Sequence, residues 1–341
     1  MIRDRNDKVK SWWSGSQLKL RIFKRKAQLK MNERISAGID IGATKANIGL
    51  VKENGMVINS EHIPVQRNLS PEQFIAEICD NLEKLIQTNG LQLEEIASIG
   101  VGVPGTADIT TGYVEYCPNL KWEDVPAGAL FKKCLGRDVI VSQDARLAAW
   151  AEYLFGAGRN YKSFICVTLG TGIGAGIILG GRIFHGGMNT AGEMGHIIFE
   201  KGGRECNCGG KGCLEKYCSG TGIINRAVEA FPEKFAGLPK KSETVFQLAN
   251  DGDKELLALI ATVVEDLAIG IANVVAIISP EAVIISGGLC DQDKLIVKPL
   301  VEQVSKYGYH SWVRKHALII EKAQMGSDAP MIGAALLYKA V

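Results

Sequence analysis

The sequence predicts an α/β protein of two related lobes around a cleft. Two observations carry this. A β-hairpin with a Gly turn opens near residue 35, a second opens near residue 164, and each is followed by mixed strands and helices. A pattern that restarts halfway marks an internal duplication, and the gap between paired lobes is where a ligand sits. The length of 341 residues gives each lobe enough chain for a core of its own.

Taken in order, Ile35–Gly42 reads as a short strand ending in a turn, Ala46–Val51 as its partner, and Gly55–Asn59 as a third strand after the Asn54-Gly55 turn. Ser70-Pro71-Glu72-Gln73 is a helix start with a capping box. Phe74, Ile75, Ile78, Leu82, Leu85 and Ile86 then follow helical spacing on one face. Ser98–Gly105 and Asp138–Ser142 read as strands and Arg146–Phe155 as a helix. The pattern restarts at Phe164–Leu169, passes through a Gly-rich turn, and continues as Ile177–Leu179 and Arg182–Phe184. A long apolar helix to Ile278, a strand at Ala282–Ser286 and an Ala-rich helix at Pro330–Leu337 complete the reading. The expected organisation is an N-terminal lobe at 35–143, to which 328–341 returns, and a C-terminal lobe at 144–327.

The formal charge of +2 singles out no class of partner. Its distribution is uneven. Residues 1–30 hold ten Lys/Arg against Asp4 and Asp7, leaving a mildly acidic body of net −6. Residues 1–34 are expected to be a basic, disordered extension without the apolar stretch of a secretory signal. It reads as a transit peptide, a nucleic-acid or membrane-surface arm, or sequence upstream of a start at Met31. No transmembrane segment is expected, because Glu265 and Asp266 interrupt the most apolar stretch, Leu256–Ile278. Nine cysteines, three of them crowded at Cys206, Cys208 and Cys213, suit a reducing cytoplasm better than an oxidising compartment.

Three clusters carry chemistry. Asp40-Ile41-Gly42-Ala43-Thr44-Lys45 brings a carboxylate, a Gly turn, a hydroxyl and an amine to one strand tip. Phosphate needs backbone N–H groups at close approach, which Gly permits, and Asp40 suits water-mediated Mg²⁺. Alone this is equally an ordinary hairpin. Its counterpart, Thr168–Gly176, places Gly170, Thr171, Gly172 and Gly174 between two apolar strands. It is neither a Walker loop nor a dinucleotide fingerprint, but two such tips can grip a triphosphate from both sides. His196, Cys206, Cys208 and Cys213 lie within eighteen residues. Three thiolates and an imidazole suit a closed, structural Zn²⁺ site, the alternative being free surface thiols. The expected zinc insert is 196–213.

These residues, with Glu193-Met194-Gly195-His196, the run Cys206–Glu215, Gly102-Val103-Pro104-Gly105, Pro118-Asn119-Leu120 and Ile284–Gly288, resemble the ROK sugar kinases over about residues 35–341. The Cys206–Glu215 run looks most like the bacterial glucokinase branch. The resemblance implies a duplicated actin-like ATPase (ribonuclease H-like) fold, MgATP as phosphoryl donor, a hexose as partner, and a homodimer or homotetramer. It places the catalytic base at Asp144 and sugar contacts at Asn119, Gln143, Asp144, Glu193, His196 and Glu215. Nucleotide contacts fall at Asp40, Gly42, Thr44, Lys45, Gly170, Thr171, Gly172, Gly174, Gly287 and Gly288, the last two against adenine. His196 would serve both zinc and sugar through its two ring nitrogens. Glucose C6 is the default acceptor, and an N-acetylmannosamine or N-acetylglucosamine kinase, or a non-catalytic sugar-binding protein, are alternatives. The family's repressors carry a helix-turn-helix domain before the lobes. The 39 residues before Asp40, broken by Ser14-Gly15-Ser16, lead us to expect no specific nucleic-acid partner.

One departure stands out. The family usually reads Glu-Asn-Asp-Ala-Asn around the catalytic carboxylate, whereas this chain reads Ser142-Gln143-Asp144-Ala145-Arg146. A cation at Arg146 is expected either to lower the pKa of Asp144 or to point into solvent from the helix.

Overall fold

A computed structural model describes residues 34–66, 68–309 and 318–340. The basic extension, residues 1–33 of it, lies outside the described residues.

The first lobe is built on strands β1 (Ile35–Ile41), β2 (Lys45–Lys52), β3 (Val57–Pro64) and β4 (Ile96–Val103), with helix α1 (Pro71–Thr88) between the last two. Short strands β5 (Thr106–Ala107), β6 (Val114–Cys117) and β7 (Trp122–Val125) form a small separate sheet. Helix α2 (Ala127–Leu135) leads to β8 (Ile140–Gln143), and α3 (Asp144–Phe155) follows without a gap. The second lobe repeats the plan with β9 (Phe164–Leu169), β10 (Ile173–Leu179) and β11 (Arg182–Ile183). After a helical run of α4 (Glu215–Cys218), α5 (Gly220–Ala230), α6 (Ser242–Asn250) and α7 (Lys254–Ile278) comes β12 (Ala282–Ser286). Helix α8 (Lys298–Tyr307), β13 (Ile319–Lys322) and α9 (Ala329–Ala335) close the chain.

The two main sheets have the same order, β3-β2-β1-β4-β8 and β11-β10-β9-β12-β13. In each, the first three strands are antiparallel and the last two parallel. The duplication seen in the sequence is therefore a duplication of topology.

Local chemistry explains where the elements begin. Ser70 N donates to Gln73 Oε1 at 3.0 Å and Gln73 N donates to Ser70 Oγ at 3.3 Å, so the capping box forms. Phe74, Ile75, Ile78, Leu82, Leu85 and Ile86 are all buried against the first sheet. The third strand begins two residues later than the sequence suggests and runs to Pro64, because Gly55 is spent on the turn at φ 85°. Helix α3 begins at Asp144 and not at Arg146, since the strand before it extends through Gln143.

Helices α3 and α9 lie between the two sheets and hold the lobes together. Helix α9 lies on β1 and β4, where Gly38 and Gly100 leave no side chain: a Cβ at either would sit 2.0 Å from the carbonyl oxygen of Met331 or Ala334. On its other side α9 meets α3, and Trp150 Nε1 donates to Leu336 O at 3.0 Å. Helix α3 in turn lies on β10, where a Cβ at Gly176 would sit 2.4 Å from Ala145 O. Among the described residues only α7 is long and apolar enough to cross a membrane. Its Leu256, Ile260, Val263, Val264 and Leu267 are buried in the core of the second lobe.

Gly100→Ala should therefore be costly, because its neighbour is backbone that cannot rotate away. We expect a loss of about 1–3 kcal/mol, read as a lower thermal unfolding midpoint. Gly187→Ala, with nothing within 4 Å of its Cβ position, should leave the midpoint unchanged.

Candidate active site

The tips of both hairpins open into one cavity of about 580 Å³ between the lobes. Gly42 and Ala43 reach it from the first hairpin, and Gly170, Thr171, Gly172 and Gly174 from the second. Asn119, Gln143, Asp144, Glu193, His196, Glu215 and Gly287 also line it. Asp40, Thr44, Lys45 and Gly288 do not, although Asp144 and Lys45 act electrostatically on Asp40.

Asp144 stands where β8 ends and α3 begins, so its carboxylate sits in the first turn of a helix. Ala145 N donates to its Oδ1 at 2.7 Å. Burial dominates over that hydrogen bond, and the charge of Glu193 adds to it, pushing the Asp144 pKa up to about 6. Asp40, on β1 in register with Gly102 and Asn47, is pushed up to about 7 by burial first and then by the charge of Asp144. Lys45 opposes this and Asp328 adds to it. Asp40, a half-buried carboxylate whose charge is disfavoured by its surroundings, is an oxygen ligand of the kind Mg²⁺ takes.

The second hairpin tip is held from behind. Gly220 N donates to Gly170 O at 2.8 Å, Thr221 Oγ1 to Thr171 O at 2.7 Å, and Ile173 N to Glu215 Oε2 at 2.9 Å. The Glu215 carboxylate is thus partly committed to the turn, and a Cβ at Gly172 would lie 2.4 Å from its Oε2.

Glu193 links two parts of the site. Gln143 Nε2 donates to its Oε1 at 2.8 Å, and His196 Nε2 lies 3.9 Å from its Oε2. The other ring nitrogen, Nδ1, is 3.6 Å from Cys206 Sγ, and Cys208 Sγ is 3.6 Å from Cys213 Sγ. All four donor atoms lie within 4.8 Å of one another. A tetrahedron with arms of about 2.3 Å to sulfur and about 2.1 Å to nitrogen has edges of roughly 3.6–3.8 Å, so the donor set fits a zinc ion.

Arg146 meets neither expectation. It is 1% exposed, so it does not point into solvent, and its guanidinium donates to the carbonyls of Asn189 and Ala191, not to Asp144. The pKa of Asp144 is accordingly raised, not lowered. A side chain six bonds long can pass beneath its helical neighbour and satisfy distant backbone, which no local pattern reveals.

Several lining residues escaped the sequence reading. Tyr116 and Asn207 border the cavity, with Tyr116 Oη 3.4 Å from Asn207 O, joining the small sheet to the cysteine loop. Asp328, at the head of α9, accepts from Asn47 Nδ2 at 3.2 Å. An Asp just before an Ala-rich helix was the available signal.

The duplicated sheets, the two hairpin tips and the interlobe cavity define an actin-like ATPase fold. Its ROK family model matches residues 36–341, and the chain belongs to the ROK family. It is 31% identical to a glucokinase from Halalkalibacterium halodurans over 91% of this chain and 96% of that one. A ROK family glucokinase from Streptomyces griseus, solved in complex with glucose and AMPPNP, superposes with a TM-score of 0.78 at 29% identity, covering 89% of this chain and 98% of that one. A xylose repressor from Caldicellulosiruptor bescii is 28% identical over 91% of this chain and 80% of its own length.

The raised carboxylates predict a stability trend. Between about pH 4 and pH 7 the unfolded chain gives up the Asp144 and Asp40 protons before the folded chain does, so stability falls as pH rises. Asp144→Asn should unfold at a higher temperature than the parent above about pH 6, and the gap should close near pH 4. Thermal denaturation across that range measures it.

Proposed function

We propose that this protein is an ATP-dependent hexose kinase, transferring the γ-phosphoryl group of MgATP to a sugar hydroxyl, with C6 of glucose as the first-choice acceptor. The observation that carries the reading is Asp144: a half-buried carboxylate, its pKa pushed up to about 6, lining a cavity fed by both Gly-bearing hairpin tips. The glucokinase relatives, matched over nearly their whole length, support the reaction class.

In this reading the Asp144 carboxylate takes the proton of the attacking hydroxyl as its oxygen bonds to the γ-phosphorus. The bond from phosphorus to the bridging oxygen breaks, and its electron pair leaves with ADP. A pKa near 6 keeps most Asp144 ionised at neutral pH while leaving it more basic than an exposed carboxylate. Asn119, Gln143, Glu193, His196 and Glu215 are assigned to sugar hydroxyls, which pair with polar side chains in a shielded cleft. The Gly42 and Gly170–Gly174 tips are assigned to the phosphates, with Gly42 N and Gly170 N closing their own turns on Lys45 O and Gly172 O, and Gly287 is assigned to the adenine side. Mg²⁺, held near Asp40, would neutralise phosphate charge. Zinc on His196, Cys206, Cys208 and Cys213 would fix the loop that carries the sugar contacts.

Two measurements test this. With MgATP and glucose, mannose, fructose, N-acetylglucosamine and N-acetylmannosamine in turn, ADP release should be sugar-dependent, and Asp144→Asn should lower it by about 100-fold or more. The kcat/KM of the parent should fall as pH drops through about 6, where Asp144 becomes protonated. Sugar-independent ADP release, or none with a well-folded protein, sinks the reading. Separately, metal analysis should find one zinc per chain. Cys213→Ser should lose it together with several degrees of thermal stability, and an unchanged metal content would remove zinc from the account.

A further inference from the structure

The structure assigns Arg146 the role of a positioning residue for sugar specificity: it holds the segment that presents Glu193 to the acceptor. This rests on the kinase reading and deepens it.

Arg146 does not line the cavity. It lies two residues beyond Asp144, is 1% exposed, and reaches away from the carboxylate toward residues 185–193. Its Nη2 donates to the carbonyl of Asn189 and, at 3.0 Å, to that of Ala191, which also accepts from Nε at 3.3 Å. The segment has little regular structure of its own. Ala191 N donates to His185 O at 3.1 Å, and Ala175 N donates to Gly192 O at 3.0 Å. Three positions, Gly186, Asn189 and Gly192, adopt left-handed backbone. At Gly192 the approach to β10 is so close that a Cβ would lie 2.0 Å from Ala175 O. A forked cation bound to two carbonyls therefore supplies the attachment that regular hydrogen bonding does not.

Glu193 follows at once. From the same strand–helix junction Gln143 donates to its Oε1 at 2.8 Å. With Nε2 committed there, Gln143 Oε1 is buried without a partner, an open acceptor beside the cavity. Gln143 and Arg146 thus flank Asp144 in sequence and reach Glu193 by two routes, one direct and one through the backbone. Two of the three residues that depart from the family pattern, Gln143 and Arg146, bear on the same carboxylate. A Lys at 146 keeps the charge but lacks the second donor, Nε, on Ala191 O and the planar guanidinium that fixes the direction of both bonds.

The test is steady-state kinetics of the parent and Arg146→Lys, varying glucose, mannose and ATP in turn, beside hydrogen exchange of residues 185–193. We expect the glucose KM to rise about tenfold, a loss of roughly 1.4 kcal/mol in binding. The ATP KM and kcat should stay within about twofold, and the glucose-to-mannose preference should shrink. Exchange across 185–193 should quicken in the variant while α3 keeps its protection. If the variant matches the parent in glucose KM and exchange, or if the ATP KM rises equally, the inference fails. Arg146→Ala should exaggerate the effect. If it does not fold, Arg146→Lys carries the test alone. A parent with no turnover on any hexose sinks the kinase reading first and this role with it, whereas an active parent with an indistinguishable variant sinks this role alone.

Discussion

The partial burial of a carboxylate, Asp144, at the junction of β8 and α3 is the constraint on which the rest of the molecule depends. A charged group away from water costs several kcal/mol unless something offsets it. Here the offset is local: Asp144 occupies the first turn of a helix, where the backbone dipole favours negative charge, and accepts from Ala145 N at 2.7 Å. The remainder appears as a pKa raised to about 6. That residual strain is only sustained because the surroundings cannot relax. Gly102, opposite, is packed by α3: a Cβ there would lie 2.8 Å from Leu147 Cδ1, with Asp40 Oδ1 and Asp144 Cα at ordinary contact distances of 3.5 Å and 3.7 Å. Helix α3 itself is wedged between β10 and α9.

From that junction a chain of polar contacts runs outward. Gln143 holds Glu193, Glu193 faces His196, and His196 faces the three thiols. Each member is positioned by the next, so the cysteine loop and the carboxylate at Asp144 belong to one mechanical unit although some sixty residues separate them. A polar network of this kind is rigid when every member is satisfied and costly when one is removed. Changes at the metal cluster should therefore be felt at the cavity, and changes at Arg146 should be felt at Glu193.

Much of this was legible in the sequence for a physical reason: the signals were local. The capping box at Ser70, the apolar face of α1, the Gly-bearing tips and the cysteine spacing are all written within a dozen residues. The small β5–β7 sheet was not, because strands of two to four residues carry too little alternation to register. Asp328 was missed because only the return of α9 onto β1 brings it beside Asp40 and Asn47. Arg146 was misjudged because proximity in sequence to Asp144 suggested proximity of charge. Buried side chains choose partners by three-dimensional reach, and this one found carbonyls.

The duplication also shows how two copies of one topology can take unlike duties. The two sheets share their order and pairing, so the two hairpin tips face the cavity as structural equivalents. The first hairpin brings a half-buried acid close to its tip, Asp40, paired in register with Asn47. At the second, Thr168 pairs with Gly174, the turn is almost all glycine and threonine, and the carboxylate beside it, Glu215, comes from α4 and accepts from Ile173 N. The first tip thus carries its own acid, while the second offers a turn whose backbone can be closely approached. A phosphate chain that carries its own metal needs both, and an undiverged duplicate would offer two of one kind. The asymmetry between Asp40 and the Gly170–Gly174 turn, more than either alone, is what fits the proposed metal–nucleotide complex, while Asn119, Gln143, Glu193 and His196 line the same cavity with the polar groups assigned to the sugar.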